Sequence, residues 1–460
     1  MPFAATPFPE VAMKKILSAI QRIEAVCGQQ REFTGPSRFA KYCFRVPCSD
    51  GELLYHMMTG ELLLLEAGES ADENRSELIR SRFLVPEEFD DYTYATQVKN
   101  VLALTTAPRT GLDACVIYTT TDCNARCFYC FELGRKRIAM SEETAHSVAT
   151  YIAANKPNKN FKITWYGGEP LFNKNVIDII TDDLRASGID FRSRMLSNGY
   201  LFDEETVKRA RDSWNLKKVQ IVLDGTEEVY NRSKAYIYRE GSAYRRVIRN
   251  MQLLMEAGID VHIRLNMDSA NFQDLMRLSK ELPSLFPGHK NMVYIRFLQE
   301  FINEPHTFST QQEALESYRA LRESLTSSGL YIKKYLARGI SETACMADSD
   351  HTFTVTPVGR IGKCEHESEE RLIGSIYEGI TDQEMVKDWK TRIWVEDCKT
   401  CIYYPHCKSL KYCAWFSGSC TEMNRILRGM NMEEMILNSY EREKNRASGR
   451  AAEAAEADMR

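Results

Sequence analysis

The sequence predicts an α/β protein built around an open, partial (β/α)6 barrel, with an α+β domain before it and a cysteine-rich domain after it. Between residues 112 and 330, six short apolar runs alternate with stretches of helical period, as in parallel strands joined by right-handed crossovers. Eight such units close a full barrel, so six indicate an open one. The predicted strands span residues 115–120, 161–166, 194–197, 219–223, 261–267 and 292–298.

Residues 1–110 are predicted to form the N-terminal α+β domain. Ser49-Asp50-Gly51 and Thr59-Gly60 are typical of tight turns between alternating strands. The predicted elements are a helix at 9–27 and strands at 39–46, 52–58 and 61–65. We expect this domain either to cap the barrel or to bind substrate, because the edge of a hairpin can accept a peptide as an added strand.

The remaining predicted domains are the barrel at residues 111–335, the cysteine-rich domain at 336–440 and a flexible tail at 441–460. One barrel helix is indicated by the spacing of Ala145 and Ile152, and another begins after the N-cap Ser242 and stops at Gly258. The tail is rich in Ala and Glu but has no apolar face, so we expect it to fray. Functional residues should collect at the carboxyl ends of the strands.

Composition and charge favour a water-soluble protein. The 460 residues include 60 Lys+Arg and 64 Asp+Glu, and the net charge of −4 argues against a nucleic-acid partner. No apolar run approaches the ~18 residues of a membrane helix, which argues against a membrane partner. The first residues lack the apolar core of a signal peptide, so a cytoplasmic location is expected.

The cysteines are distributed unevenly along the chain. Of the 14, three lie between residues 123 and 130 and seven between residues 345 and 420. A disulfide scaffold would be short and exported, whereas closely spaced cysteines in a reducing compartment are more often metal ligands. Both groups of cysteines are therefore predicted to bind metal.

The first group follows the first predicted strand directly. Cys123, Cys127 and Cys130 have the spacing Cys-x3-Cys-x2-Cys, so one loop can present three thiolates to a single centre. Structural zinc takes four protein ligands, whereas three thiolates on a [4Fe–4S] cluster leave one iron open for an external ligand. The alternatives are a zinc site completed by a distant residue and a chance group of cysteines.

This loop resembles the hallmark of the radical S-adenosylmethionine (SAM) superfamily, whose fold is a partial, TIM-like barrel. The resemblance extends over about residues 112–330. It implies that Tyr129 lies against the adenine of SAM and that the segment after the second strand receives the methionine amino group. The matching motifs after the second, third and fourth strands are Gly167-Gly168-Glu169-Pro170, Ser197-Asn198-Gly199 and Leu223-Asp224-Gly225.

In this family a cation after the fourth strand commonly pairs with the SAM carboxylate. Lys234 aligns with that position, Arg232 lies two residues earlier, and Arg264 on the fifth predicted strand is a third candidate. An ordinary surface cation is the alternative for each of them. Relatives often carry serine two residues before Asp224, where this chain has Val222.

The resemblance also implies the cofactors and the chemistry. SAM and a [4Fe–4S] cluster would bind at the first cysteine group, and one electron from the cluster would cleave SAM to a 5′-deoxyadenosyl radical that abstracts hydrogen from the substrate. An external one-electron donor such as flavodoxin or ferredoxin would then be a partner.

The second group of cysteines resembles SPASM, the cysteine-rich extension of some radical SAM enzymes. Cys345, Gly359 and Cys364 match its first part, and the spacing departs from the family pattern only at the last two cysteines. The resemblance implies two auxiliary [4Fe–4S] clusters, and two zinc ribbons are the alternative. The implied ligands are Cys345, Cys364 and Cys413 for cluster I, and Cys398, Cys401, Cys407 and Cys420 for cluster II.

Enzymes with this extension mostly modify peptides or proteins. We therefore expect a maturase of ribosomally synthesised peptides (RiPPs), which recognises the leader of a precursor peptide and installs a thioether or carbon–carbon crosslink. One alternative is an anaerobic sulfatase-maturating enzyme that forms formylglycine, with Glu365 after Cys364 as the catalytic base. A zinc-bearing peptide-binding scaffold is an alternative of another class.

Overall fold

A computed structural model describes most of the chain as two compact units. The first unit contains the described residues before 109 together with those of 333–345 and from 391 onward, and the second contains those of 109–332 and 346–390. The division into domains at residues 110, 335 and 440 stays a prediction. The described residues are 33–105, 110–298, 308–336, 345–366, 369–393, 395–407, 410–413 and 422–458.

The N-terminal elements of the first unit are β1 (Ser37–Phe39), β2 (Cys43–Cys48), β3 (Gly51–His56), β4 (Glu61–Glu66), α1 (Arg75–Arg80), β5 (Leu84–Pro86) and α2 (Asp91–Thr105). Strands β2, β3 and β4 form an antiparallel sheet with Cys48 opposite Gly51, so the predicted hairpin is confirmed. A Cβ at Gly51 would meet the Leu65 carbonyl oxygen at 2.0 Å, so only glycine fits there. The helix predicted at 9–27 lies outside the described residues.

The second unit contains the predicted β/α series. Its elements are β6 (Ala114–Thr120), α3 (Glu142–Ala154), β7 (Phe161–Gly167), α4 (Lys174–Ala186), β8 (Phe191–Leu196), α5 (Glu204–Asp212), β9 (Leu216–Leu223), α6 (Glu227–Lys234), α7 (Ala243–Glu256), β10 (Asp260–Met267), α8 (Phe272–Leu285), β11 (Val293–Phe297) and α9 (Gln311–Ser327). The strands lie in the order β11-β10-β9-β8-β7-β6, and each neighbouring pair is parallel. The predicted partial barrel is thereby confirmed, with all six strands present.

Local sequence determines where the barrel helices begin. The Ser141 side chain accepts a hydrogen bond from the Thr144 amide at the start of α3, and Ser242 accepts one from the Arg245 amide at the start of α7. Such caps satisfy amides that the first helical turn leaves without partners. The cap predicted at Ser242 is therefore confirmed.

Residues 346–390 extend the barrel sheet, although the sequence analysis assigns them to the cysteine-rich domain. The added elements are β12 (Thr352–Val355), β13 (Arg360–Gly362), β14 (Gly374–Ser375), β15 (Gly379–Ile380) and α10 (Gln383–Lys390). Strand β12 pairs in parallel with β6, and the next three strands continue antiparallel. Strand β6 is thus not an edge, which protects its backbone groups. Strand β12 has only four residues, which are too few for an alternating pattern to predict a strand from the sequence.

The last element of the first unit is the long helix α11 (Glu422–Asp458). Its residue Ile436 is fully buried in an apolar core with Tyr55 of β3 and with Tyr404 of the cysteine-rich segment. The tail predicted to fray from residue 441 is helical in the structure as far as Asp458. Neither this helix nor any other in the described part of the chain is long and apolar enough to cross a membrane.

Candidate functional site

The carboxyl end of β6 leads into the loop that carries the first three cysteines. The Asp122 carboxylate accepts a hydrogen bond from the Cys123 amide at 2.8 Å, and the Cys130 amide donates to the Cys127 carbonyl at 3.1 Å. All three thiols are partly buried, and burial raises the pKa of each. The loop therefore folds back on itself and keeps its cysteines close to the strand end.

The donor chemistry of this loop suits an iron–sulfur cluster. The Ala125 amide donates to Cys123 Sγ at 3.3 Å, and hydrogen bonds of this kind tune thiolates that ligate iron. In the part of the chain that the structure describes, no three Cys, His, Asp or Glu side chains surround a single metal ion. Three soft thiolates on one loop are nevertheless the ligand set that a [4Fe–4S] cluster takes, with one iron left open.

Strand β7 ends in the Gly-Gly-Glu-Pro segment, directly beside the cysteine loop. A Cβ at Gly167 would meet the Thr120 carbonyl oxygen at 2.1 Å, and one at Gly168 would meet the Asp122 carbonyl oxygen at 2.3 Å. In the structure these glycines make room for the backbone of the cysteine loop itself.

Glu169 is fully buried and joins the ends of β7 and β8. Its Oε1 accepts hydrogen bonds from the Leu171 amide at 3.1 Å and the Ser197 hydroxyl at 2.9 Å, and its Oε2 accepts one from the Asn198 amide at 2.8 Å. Burial raises the pKa of Glu169 to about 7, although these hydrogen bonds oppose the shift. Pro170 then opens a short 3-10 helix. The role of Glu169 toward the SAM amino group stays a prediction.

Asn198 links the end of β8 to the cysteine loop. Its Nδ2 donates to Asn124 Oδ1 at 2.6 Å and lies 3.7 Å from Cys123 Sγ. The Tyr200 amide donates to its Oδ1 at 3.0 Å, which fixes the orientation of the side-chain amide. The structure therefore places this predicted cofactor-binding residue against a cysteine sulfur.

Tyr129 of the loop forms a polar triad with Asp224 and Lys234, which are both buried. The Tyr129 hydroxyl donates to Asp224 Oδ2 at 2.6 Å, and Lys234 Nζ lies 2.9 Å from the same oxygen and 2.5 Å from the Tyr129 hydroxyl. The Lys234 and Asp224 side chains are only 4% and 3% exposed. Burial would lower the pKa of Lys234, but the Asp224 carboxylate raises it well above its usual value. The triad thus holds a fixed, charged pair.

The three candidate cations for the SAM carboxylate are separated by the structure. Lys234 is bound to Asp224 in the triad. Arg232 points outward, with its side chain 70% exposed and paired with Glu228 at 3.5 Å. Arg264 on β10 is partly buried, and its Nε donates to Asn266 Oδ1 at 2.7 Å. Of the three, Arg232 is thus the one that the structure sets apart from the site.

The structure also reveals a buried carboxyl that the sequence analysis missed. The Glu132 side chain is 5% exposed, and its Oε1 has no hydrogen-bond partner among the described residues, with Arg135 Nη1 at 3.9 Å. Burial raises the pKa of Glu132 to about 7, and Arg135 opposes the shift. The signal was present in the sequence, because this acid follows the third cysteine by two residues.

Glu365 lies in the segment after β13, next to the cysteine Cys364. Its backbone oxygen accepts a hydrogen bond from the Tyr118 hydroxyl of β6, and the His366 amide donates to Cys364 Sγ at 3.4 Å. The His366 ring packs edge-on against Phe131 at 4.8 Å, so this segment reaches the cysteine loop. The predicted base therefore sits on a backbone anchored to β6.

The second group of cysteines lies mostly in the first unit. Cys345, Cys398, Cys401, Cys407 and Cys413 are partly buried there, and Cys420 lies outside the described residues. Cations line this region: Arg428 Nη1 donates to Cys407 Sγ at 3.4 Å, and Lys99 Nζ of α2 donates to the Tyr404 carbonyl at 3.0 Å. Helix α2 thus packs directly on the cysteine-rich segment.

Comparisons with known proteins agree with this geometry. The Radical SAM superfamily model matches residues 117–282. An uncharacterized protein of Methanocaldococcus jannaschii is 29% identical over 119 residues, which are 25% of this chain and 40% of that protein. GTP 3′,8-cyclase of Desulforamulus reducens is 27% identical over 192 residues, 40% of this chain and 54% of the cyclase. The same enzyme of Clostridium perfringens is 24% identical over 304 residues, 62% of this chain and 90% of the cyclase.

The fold is shared with solved structures. Native anSMEcpe with bound AdoMet and Cp18Cys peptide superposes with a TM-score of 0.53 at 16% identity, over 73% of this chain and 99% of that one. The chain spans 40% of the length of the Methanocaldococcus protein and 54% of the length of the Desulforamulus cyclase, which is about half or less. The fold, the cysteine loop and the matched family model nevertheless agree, so residues 117–282 of the chain form a radical SAM domain.

Proposed function

We propose that the chain is a radical SAM peptide maturase, which abstracts hydrogen from a ribosomally synthesised peptide and installs a thioether or carbon–carbon crosslink. The observation that carries the proposal is the loop of Cys123, Cys127 and Cys130 at the carboxyl end of β6. The buried carboxyl of Glu132 follows this loop directly, and the segment of Glu365 contacts Phe131 after the loop through the His366 ring. Such a site combines a cluster-binding loop with polar groups for a substrate.

Several residues of the site have a proposed role in binding SAM or the cluster. Three thiolates hold the cluster, which when bound supplies the one-electron reduction that cleaves the SAM sulfonium. Asn198 orients Cys123, and Tyr129 contacts adenine. Arg264 pairs with the SAM carboxylate, because Lys234 is held by Asp224 and because Nε is only one of the five N–H donors of a guanidinium.

The second group of cysteines is proposed to hold two auxiliary [4Fe–4S] clusters, with the ligands that the family resemblance implies. Cations beside these cysteines support this proposal, since they offset the negative charge of several thiolates in a partly buried place. The auxiliary clusters would accept the electron that remains after hydrogen abstraction or ligate a substrate thiol. Cys413 is the ligand whose variant tests the assignment to cluster I.

The proposed partners are a precursor peptide and a flavodoxin or ferredoxin. The leader of the peptide would add to the antiparallel sheet of the first unit, where β2 and β4 are the outer strands among those described. A peptide substrate is supported by the peptide bound in the solved anSMEcpe structure, which shares the fold. The electron carrier is required because each SAM cleavage consumes one electron.

A second candidate is formylglycine formation on a sulfatase. The observation that favours it is Glu365, a carboxyl next to Cys364 on a backbone segment that Tyr118 anchors. In this reaction Glu365 would remove the proton from an oxidised Cys or Ser side chain. The two candidates differ in the substrate and the product and share the loop chemistry.

The test uses protein purified and reconstituted without oxygen, with SAM and dithionite. It is supplied in turn with a leader-bearing, cysteine-rich precursor peptide, a sulfatase-derived peptide and GTP, the last because two relatives are GTP 3′,8-cyclases. The proposal expects 5′-deoxyadenosine together with loss of two hydrogens from the precursor peptide. An aldehyde on the sulfatase peptide would establish the second candidate, and conversion of GTP would overturn both.

A further inference from the structure

The chain segment directly after the third cysteine is exposed and carries a row of cations. Residues 133–137 all lie on the surface. Leu133 is 61% exposed, and the Arg135 and Arg137 side chains are 38% and 59% exposed. Within the cysteine loop itself, Phe128 is 41% exposed. We call Phe128, Leu133, Arg135, Lys136 and Arg137 the loop rim.

The loop rim is fastened to the cysteine loop by the backbone. The Leu133 amide donates to the Cys130 carbonyl at 3.0 Å. The Thr121 hydroxyl donates to the Lys136 carbonyl at 2.7 Å, and the Thr121 amide donates to the Ile138 carbonyl at 2.9 Å. The exposed cations and apolar side chains are therefore held at a fixed place beside the three thiols.

The charge of the loop rim contrasts with that of the chain. The whole chain has a net charge of −4, yet three consecutive cations lie here, and Arg126 adds a fourth. The acids that face them are fewer: Asp122 lies 3.4 Å from Arg137 and 3.9 Å from Arg126, and Glu132 is buried under Arg135. The surface beside the cysteine loop is therefore locally positive, with exposed apolar residues among the cations.

We infer that the loop rim is the docking surface for an acidic one-electron carrier protein of the flavodoxin or ferredoxin type. The inference rests on the proposed function, since a SAM-cleaving site consumes one electron in each turnover. A flavodoxin hydroquinone would be oxidised to the semiquinone and pass its electron to the cluster held by Cys123, Cys127 and Cys130. No atom or proton needs to cross the interface.

Three properties of the rim fit this partner. Electron transfer falls off steeply with distance, and Phe128 lies between two of the cysteines that would hold the cluster. Opposite charges speed the encounter of two proteins by long-range steering, which salt screens over about 10 Å at 0.1 M. Electron-transfer complexes are small and short-lived, so a rim of a few residues is sufficient.

The test compares two charge-reversed proteins. The rim variant is R135E/K136E/R137E. The control variant is K162E/R192E/K217E, which makes the same change in net charge with exposed cations near the amino ends of β7, β8 and β9, at the opposite end of the strands from the cysteine loop. Reconstituted protein cleaves SAM with either dithionite or reduced flavodoxin as the electron source.

The inference expects all three proteins to form 5′-deoxyadenosine at the same rate with dithionite. With flavodoxin at low salt, the rim variant should be at least tenfold slower than the parent, while the control variant stays within twofold. Equal rates for the rim and control variants with flavodoxin would overturn the inference. Failure of the parent with dithionite would instead count against the proposed function.

Binding gives a readout that does not depend on turnover. Titration of oxidised flavodoxin with each protein at low salt should show at least tenfold weaker binding for the rim variant only, and 0.5 M salt should abolish the difference. If the charge reversal perturbs the loop, the milder variant R135Q/K136Q/R137Q should show the same loss to a smaller degree. A rim variant that loses affinity for the precursor peptide and keeps it for flavodoxin would assign the surface to the substrate.

Discussion

The two groups of cysteines are held in different ways. The first lies on one loop after β6, and its surroundings include the buried carboxyls of Glu132, Glu169 and Asp224. The second is spread over a long segment, and in the first unit it faces the cations Lys99 and Arg428. Negative surroundings disfavour an added electron and positive ones favour it. At the first site Lys234 offsets the charge of Asp224, so the clearest difference between the two groups is that one lies on a single loop and the other on a long segment.

The largest expected effect is loss of the first site. Replacing Cys123, Cys127 and Cys130 together by Ala should reduce formation of 5′-deoxyadenosine to background. Iron should fall from about 12 to about 8 per chain, because each [4Fe–4S] cluster holds four irons and the second group keeps two clusters. The variant Cys48→Ser, which changes a partly buried thiol of β2, is the control. Persistent SAM cleavage, or a colourless protein with zinc, would contradict the proposal.

The next largest effect is expected for the buried pair of Asp224 and Lys234, which should contribute strongly to the free energy of unfolding of the second unit. The variant Asp224→Asn leaves the Lys234 ammonium buried without its counter-charge, which costs about 3–5 kcal/mol in comparable cases. Chemical unfolding measures the loss. The double variant D224N/K234M should recover most of it, because it removes both charges. An equal loss in the single and double variants would show that the pair does not act as a unit.

Glu169 should make the stability of the barrel unit depend on pH. Its pKa is about 7 in the folded protein and 4.5 in the unfolded chain, so the folded state binds the proton more tightly. This contribution is fully present below about pH 4.5 and is lost as the pH rises to about 7, with a size of roughly 3 kcal/mol. Urea unfolding from pH 4.5 to 8 measures it. The variant Glu169→Gln should flatten the profile, and an unchanged slope would assign it to other groups.

Near the second group of cysteines, Lys99 should affect the reduction potential of an auxiliary cluster and leave the fold intact. The variant Lys99→Met removes a partly buried cation next to Tyr404 and near Cys407 and Cys398, so an auxiliary cluster should become harder to reduce. A redox titration followed by EPR should show a lower midpoint potential for the signal of that auxiliary cluster. The midpoint potential of the cluster at the first site should not change. The variant Lys99→Arg keeps the charge and should retain the parent midpoint. Equal midpoints for Met and Arg would contradict the electrostatic explanation.

The smallest effect is expected at Arg232. Its pair with Glu228 is exposed on α6, and such pairs contribute at most about 1 kcal/mol. The variant Arg232→Ala should change neither the rate of SAM cleavage nor the KM for SAM, whereas Arg264→Ala should raise the KM at least tenfold. If Arg232→Ala raised the KM for SAM, the choice of Arg264 as the carboxylate partner would be wrong.

The sequence by itself determined the features that depend on neighbouring residues. The six strands, the hairpin at Gly51, the helix cap at Ser242 and the cysteine loop all follow from periodicity, turn residues and spacing within a few residues. These signals act over one turn of helix or one pair of strands. Such signals predict the local structure correctly wherever tertiary packing does not override them.

Only the tertiary structure decided which distant residues meet. Tyr129 lies 95 positions from Asp224 and 105 from Lys234, yet the three share hydrogen bonds, and no local signal distinguished this buried lysine from the exposed Arg232. The pairing of β12 with β6, and the packing of Tyr404 against the N-terminal sheet, are of the same kind. The physical reason is that burial and charge pairing depend on which surfaces the fold brings together.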